Sequence, residues 1–267
     1  DLQPHVDLDY GPDVPDALAD GTIPKAFLDT KLNVNVKKWD QAQEFDIVWL
    51  LVDGDRSGDP AGVPVKPATD PIVLTMEKAD LDLLDEGPHE LAFEWGDGIG
   101  ESYFSLPLNI IVDRTPPGGT TLPIIKFKLE YEQNGVTLAQ IVADGNVLSG
   151  LIASYDQQLP GDTITTFIQT MPGGAITPGP VVSVGDTISE HGVPFTLAQL
   201  QAAKAEGSVD FWYEVKDLAG NPKLADRATL RMLVNDAPDQ LEAVRIPLFT
   251  DDDLVRRLGA DRRLRRR

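Results

Sequence analysis

The chain has 267 residues, a formal net charge of −20, 42% hydrophobic residues and no cysteine. That length suits two units of about 100 to 120 residues better than one, and the hydrophobic content is too high for a charged disordered chain. An acidic surface argues against nucleic acid and anionic membranes as partners. The missing cysteines remove disulfides and thiolate metal sites, and no stretch reaches the roughly 18 to 20 apolar residues that cross a bilayer.

Residues 1–19 are rich in Asp and Pro, follow neither a helical nor a strand period, and read as an acidic extended lead-in with at most one edge strand. Leu32-Asn33-Val34-Asn35-Val36 alternates apolar and polar positions, as a strand with one buried face does. Ile47 to Val52 is a continuous apolar run and Ile72-Val73-Leu74 a short one. Leu91, Phe93 and Trp95 share one side of Leu91 to Trp95. Clusters such as Asp53 to Pro60 break any helix between them, and Leu106 to Val112 closes the set. The second half repeats the plan with strands expected at Ile124 to Leu129, Val147 to Ala153, Thr163 to Ile168, Val181 to Val184, Val209 to Val215 and Ala228 to Val234.

One helix is expected in each half. Phe195 to Lys204 consists mostly of good helix formers, has Thr196 and Gln199 at capping-box spacing, and stops at Gly207. Its counterpart is Met76 to Leu84, stopped by Gly87. Each would carry the chain between sheets just before the aromatic strand.

The two halves are copies. Trp39-Asp40-Gln41 and Asp46 return as Tyr155-Asp156-Gln157 and Asp162. Glu86-Gly87 returns as Glu206-Gly207, and Val112-Asp113-Arg114-Thr115-Pro116 as Val234-Asn235-Asp236-Ala237-Pro238. The offset drifts from 116 (residue 39 to 155) through 120 (86 to 206) to 122 (112 to 234), as loop insertions would make it. Proline after the last strand of each unit ends ladder pairing and stiffens the link. A rod follows more naturally than a collapsed pair.

Tyr155-Asp156 with Gly161-Asp162-Thr163-Ile164, and then Tyr213-Glu214-Val215-Lys216-Asp217-Leu218-Ala219-Gly220-Asn221, resemble the bacterial Ig-like repeats of large surface and secreted proteins. So does the Asp113-Arg114-Thr115-Pro116-Pro117 junction. The first copy departs, with Phe45-Asp46 for Gly-Asp and Gly96 to Gly100 for the Ala-Gly-Asn turn. The resemblance covers roughly residues 20 to 240. It implies tandem immunoglobulin-like sandwiches serving as stalk, adhesin or assembly module, and it brings no catalytic residue to transfer.

Reactive chemistry is weakly represented. His5, His89 and His191 lack partners at triad or metal spacing, and no Gly-x-Ser-x-Gly elbow presents a nucleophile. His89 reads as an ordinary strand position. Asp53-Gly54-Asp55-Arg56-Ser57-Gly58-Asp59 could converge oxygens on calcium, but Pro64 stands where a bidentate carboxylate belongs and Arg56 sits mid-loop, so a solvated hairpin is favoured. Calcium near Asp113 or Asp236 at a junction stands beside it as an open alternative. Trp212 lies opposite Phe211 and Tyr213 and is expected at the surface, as a domain contact sooner than a sugar shelf. The end carries four Asp and seven Arg from residue 251 on, a local +3. It reads as a dipole-matched helix docking on acidic repeats, or as the start of another repeat at Ile246-Pro247-Leu248-Phe249.

The expectation is an all-β chain of two tandem immunoglobulin-like β-sandwiches, residues 20–116 and 117–238, each with a short helix before its aromatic strand. An acidic lead-in (1–19) and a basic tail or further repeat (239–267) flank them. No enzyme, catalytic site, metal or cofactor is expected. The partners expected are other repeats of the same polypeptide or assembly subunits, and a protein or glycan surface ligand, with no nucleic acid and no membrane insertion. The location expected is a bacterial cell surface or the extracellular space. A phage fibre, collar or decoration component is the alternative.

Overall fold

The computed structural model describes residues 8–40, 42–66, 70–96, 100–185 and 189–234. The expectations for His5, for the Asn235 to Pro238 junction and for the basic tail lie outside them. The first half forms β1 (Thr22–Ile23), α1 (Lys25–Leu28), β2 (Lys31–Val36), β3 (Ile47–Val52), β4 (Asp55–Ser57), β5 (Val63–Pro64), β6 (Ile72–Glu77), α2 (Lys78–Leu81), β7 (Gly87–Gly96), β8 (Ser102–Phe104) and β9 (Leu108–Val112). The second forms α3 (Leu129–Asn134), β10 (Val136–Thr137), α4 (Leu138–Ala143), β11 (Val147–Ile152), β12 (Thr163–Thr170), β13 (Ile176–Ser183), β14 (His191–Thr196), α5 (Leu197–Ala202), β15 (Glu206–Lys216), β16 (Pro222–Leu224) and β17 (Ala228–Leu233).

Each half is an immunoglobulin-like β-sandwich. A β2–β6 pair faces the sheet β1-β9-β7-β3-β4, and a β11–β14 pair faces β10-β17-β15-β12-β13. Period-2 alternation decides which side chains enter. Leu32, Val34 and Val36 of β2 meet Leu91, Phe93 and Trp95 of β7 in one core, while Leu148 and Ile152 of β11 meet Val209, Phe211, Tyr213 and Val215 of β15 in another. The two buried clusters share no residue: one draws on positions 14 to 112 and the other on 122 to 234.

The opening segment of each sandwich pairs with both sheets. Asp13 bridges Asn35 of β2 antiparallel and Lys126 bridges Leu151 of β11 likewise. Further along, β1 runs parallel to β9 (Thr22 beside Ile111, Ile23 beside Val112), and β10 runs parallel to β17 (Val136 beside Met232, Thr137 beside Leu233). The lead-in is therefore more than an extended approach. Leu8 N donates to Phe104 O and Leu106 N to Tyr10 O, and Val14 is buried in the first core. At Ile124 to Leu129, where a full strand was expected, only the Lys126 bridge forms before α3 begins.

The helix before each aromatic strand is present but shorter than its apolar run suggested. Thr196 and Gln199 form the expected capping box of α5, while Phe195 stays in β14 and Met76 in β6. One helix per half was an undercount. In addition, α1 and α4 join the parallel first strand to β2 and β11, and α4 carries a second capping box, Thr137 with Gln140. Because Lys31 pairs with Glu77 and Val147 with Thr196, α1 and α2 share one pole of the first sandwich, and α4 and α5 share the same pole of the second.

Two Arg-over-Trp stacks brace the outer sheet faces. Arg56 of β4 lies 3.9 Å over the Trp49 ring, and its Nε and Nη2 donate to Glu94 of β7 at 2.7 and 2.6 Å; Ser102 Oγ also donates to Glu94. In the second sandwich Arg227 lies 4.2 Å over Trp212 and its Nη1 reaches Gln169 and Asp210. This corrects the expectation of a surface Trp212: the ring is only 6% exposed, covered by Arg227 and stacked on Phe167 at 5.5 Å. The Arg56 hydrogen bond holds the Glu94 carboxyl below its ordinary pKa, against burial, with Ser102 helping. A lowered folded pKa means that this stabilisation is present above the ordinary carboxylate value and is lost as pH falls through the folded one. Glu94→Ala is expected to cost the first sandwich about 1–3 kcal/mol in denaturant titrations at pH 7 and leave the second unchanged.

His89 is no bystander on β7. Its Nδ1 contacts Asp53 Oδ2 at 2.6 Å and its Nε2 the Asp85 carbonyl at 2.8 Å, while Glu90 N donates to Asp53 Oδ1. Burial lowers the His89 pKa, but the Asp85 carbonyl and the Asp53 carboxylate outweigh it and the net shift is upward. A raised folded pKa makes this contribution complete below the unfolded value of about 6.5 and lost as pH rises through the folded one. The melting temperature of the first sandwich should therefore fall between about pH 6 and pH 8, and His89→Gln should flatten that slope. The same contacts bear on the calcium loop. Asp53 already has both oxygens engaged, and Asp59 Oδ1 accepts from Ala61 N.

Candidate functional site at the junction of the sandwiches

The described residues gather no group of three or more His, Asp or Glu side chains at metal-holding distance, and no described helix is long and apolar enough to cross a membrane. The most constructed polar region lies where the first sandwich hands the chain to the second. After β9 ends at Val112, Asp113 Oδ1 accepts from Thr115 N at 3.0 Å, an Asx turn that bends the linker. Arg114 reaches back, its two terminal nitrogens donating to the carbonyls of Leu81, the last residue of α2, and of Leu84 just past it. Such carbonyls lack partners inside a helix, and a guanidinium fork satisfies two at once. Pro117 and Gly118 are buried, Gly118 N donates to Asp156 O at 2.8 Å, and Lys223 Nζ donates to the Gly119 carbonyl. Gly119 has φ +54, and a Cβ there would stand 2.7 Å from the Asp156 carboxylate, so both backbone and space call for glycine.

The other wall is the β15–β16 hairpin, Asp217-Leu218-Ala219-Gly220-Asn221. Asp217 folds it locally: its Oδ1 accepts from Asn221 N at 2.7 Å, its Oδ2 from Asn221 Nδ2 at 3.0 Å, and its carbonyl from Gly220 N. Gly220 at φ +90 completes the turn. The hairpin tip then contacts the first sandwich. Lys25 N, at the start of α1, donates to Ala219 O at 2.6 Å, and Asn221 Nδ2 donates to Asp113 O at 3.1 Å. Ala219 and Asn221 are 3% and 1% exposed, so these bonds form out of water, where each counts for more.

The electrostatics are lopsided. Burial raises the Asp113 pKa above its ordinary 3.8, and the Asp217 and Glu86 carboxylates push it further up against the Thr115 N–H. An acid whose folded pKa is raised is destabilising when ionised, and that cost is relieved as pH falls toward the folded pKa. Scattering measured from pH 7.5 down to about pH 4.5 should show the junction tightening, and Asp113→Asn should remove the dependence.

A second polar centre lies below the hairpin. Asp162 is buried, its Oδ2 accepting from Tyr155 OH at 2.9 Å and Leu159 N at 3.1 Å, and Gln158 Nε2 contacts His191 Nε2 at 2.8 Å. The repeated aromatic-Asp-Gln-to-Asp spacing is therefore a loop clamp. Its twin in the first sandwich has Asp46 Oδ2 accepting from Gln43 N at 2.8 Å. Tyr213 OH, donating to Pro123 O at 2.7 Å, pins the opening segment of the second sandwich to β15. The Ala-Gly-Asn segment read locally as a turn signal. Its partners Lys25 and Asp113 belong to the other repeat, and no spacing in the sequence connects them.

No protein-family model and no curated protein matches the sequence. Solved structures do resemble the fold. A Ca2+-stabilised adhesin of an Antarctic bacterium that binds ice superposes with TM-score 0.47 at 16% identity, covering 86% of this chain and 50% of that one. A 1.5-MDa bacterial ice-binding adhesin superposes with TM-score 0.42 at 15% identity, over 85% of this chain and 66% of that one. Fibronectin(III)-like modules of Clostridium thermocellum CbhA give TM-score 0.39 at 10% identity, over 84% of this chain and 93% of theirs. This chain thus spans about half the length of the first of these structures.

Proposed function

We propose that the chain is a non-catalytic, load-bearing spacer or adhesion module of a bacterial cell-surface or secreted protein, working outside the cell by rigid display. Its two domains divide at the Thr115–Pro117 linker. The parallel pairing of first and last strands in both sandwiches carries this reading. The chain enters the first sandwich beside Phe104 to Leu106 and leaves it at Val112, so tension draws β1 and β9 in opposite directions along their length. Their slanted ladder bonds are then loaded in shear and must yield together instead of unzipping singly. The β10–β17 pair repeats the geometry, and the Ala219 and Asn221 contacts pass load between units without a free hinge. A spacer needs these properties, and a catalyst has no use for them.

The test is to pull single molecules by their ends. Two unfolding events are expected, each releasing about 30–40 nm from roughly 100 residues at 3.6 Å per residue. Replacing both residues of β1 with glycine, Thr22→Gly with Ile23→Gly, should lower the force of one event only. A single release of twice that length, or yielding at negligible force, would sink the proposal.

A further inference from the structure

The internal junction is a docking event between two kinds of pole. The hairpin and the β11–β12 loop of the second sandwich form one pole, and α1 with the linker of the first forms the other. The described residues carry one further pole of each kind. At the entry pole of the first sandwich, the β2–β3 loop has Phe45 where the second sandwich has Gly161. Both residues lie in the left-handed region, at φ +89 and +95. Glycine adopts that region freely; a bulky aromatic does so only under strain, and such strain concentrates where a side chain must be held in a set direction. Phe45 is held into solvent, 77% exposed. Nothing in the folding of its own sandwich requires that exposure, since the glycine twin closes the same loop.

At the far pole of the second sandwich, α4 occupies the place of α1, each joining the parallel first strand to the strand after it. Its first residue, Leu138, corresponds to Lys25, the α1 residue that receives the hairpin. Leu138 and Val142, one turn apart on α4, are 37% and 50% exposed. An aromatic anchor on one pole and an aliphatic pair on the other complement each other in chemistry and extend the interface already present between the sandwiches.

We infer that the Phe45 pole of one chain docks on the α4 pole of a second copy, so that chains associate head to tail and continue the internal array. The contact is heterologous: each pole meets the other kind, so association does not close on itself after two copies. A single pole-to-pole contact is small, which places its dissociation constant on the order of 10 to 1000 µM.

Sedimentation velocity of the full chain over that range tests the inference. The weight-average mass should rise with concentration past that of a dimer. Phe45→Gly, which relieves the backbone strain and so folds at least as well, should stay monomeric, as should Leu138→Glu/Val142→Lys. Mixing the two variants should restore association and stop at a one-to-one dimer, since only one intact pole of each kind remains. A wild type that is monomeric throughout, a wild type whose mass is unaltered by Phe45→Gly, or a mixture that fails to pair would each overturn it. These outcomes are independent of the pulling experiment, which reads the sandwiches one molecule at a time.

Discussion

Phe211→Ala should unfold the second sandwich early and leave the first where it was. Phe211 is fully buried, with its ring 4.9 Å from Phe195 and 5.2 Å from Phe127, both in near edge-on contact. Truncation removes the ring's transfer free energy and leaves a cavity bounded by Phe195 of β14 and Phe127 of the segment before α3, so collapse is limited. The expected cost is about 3–5 kcal/mol, a large share of what one small domain has. Because the first core shares no residue with the second, calorimetry should resolve two transitions in the variant, with only the one belonging to residues 122–234 displaced. The reciprocal change, Phe93→Ala, should displace the other.

Lys25→Pro should loosen the junction without harming either sandwich. Lys25 is the first residue of α1, a position where a helix makes no use of its own N–H, and Pro24 before it already has φ −59 and ψ 140, compatible with a following proline. The substitution deletes the backbone donor serving Ala219 O and leaves that carbonyl unpaired in a buried place; it also removes the exposed Lys25–Asp29 ion pair within α1, which is worth little. About 1–3 kcal/mol of coupling should be lost. Asn221→Leu should lose more, since Asp113 O and Asp217 Oδ2 both lose the Asn221 Nδ2 donor, while the backbone N–H of residue 221 still serves Asp217 Oδ1. In small-angle scattering both variants should show a broadened distribution of distances between sandwiches, with circular dichroism and melting temperatures of the units unchanged for Lys25→Pro. A rigid profile in Lys25→Pro would mean that the linker alone sets the angle.

The strands were legible because burial on one face writes itself as period 2. Leu32-Val34-Val36, Leu91-Phe93-Trp95 and Val209-Phe211-Tyr213-Val215 fill the cores as their alternation implies. The helix α5 was legible from Thr196 and Gln199. Its sibling α4 carries the same Thr-x-x-Gln signal at Thr137 and Gln140 but lies between the strands expected at Ile124 to Leu129 and Val147 to Ala153, where no element is expected; the helix is only six residues long and follows a two-residue strand. Lead-in residues such as Val14 were missed because a single bridge and one buried side chain leave no period. Trp212 was misplaced for a different reason: strand alternation puts it on the outer face correctly, but cannot reveal that Arg227, arriving from the β16–β17 connection, covers it. The junction was legible only in outline. Pro116 and Pro117 announced a stiff link, whereas the Ala219 and Asn221 contacts join residues from opposite halves of the chain and leave no mark on either.

Residues 8–116 and 117–234 produced as separate polypeptides give the most direct test that each sandwich closes on its own core. Each fragment should melt cooperatively within about 5 °C of its transition in the whole chain, the difference being the lost junction bonds. A fragment without a cooperative transition or dispersed amide resonances would show that the cores depend on each other, and the two-unit account would fail.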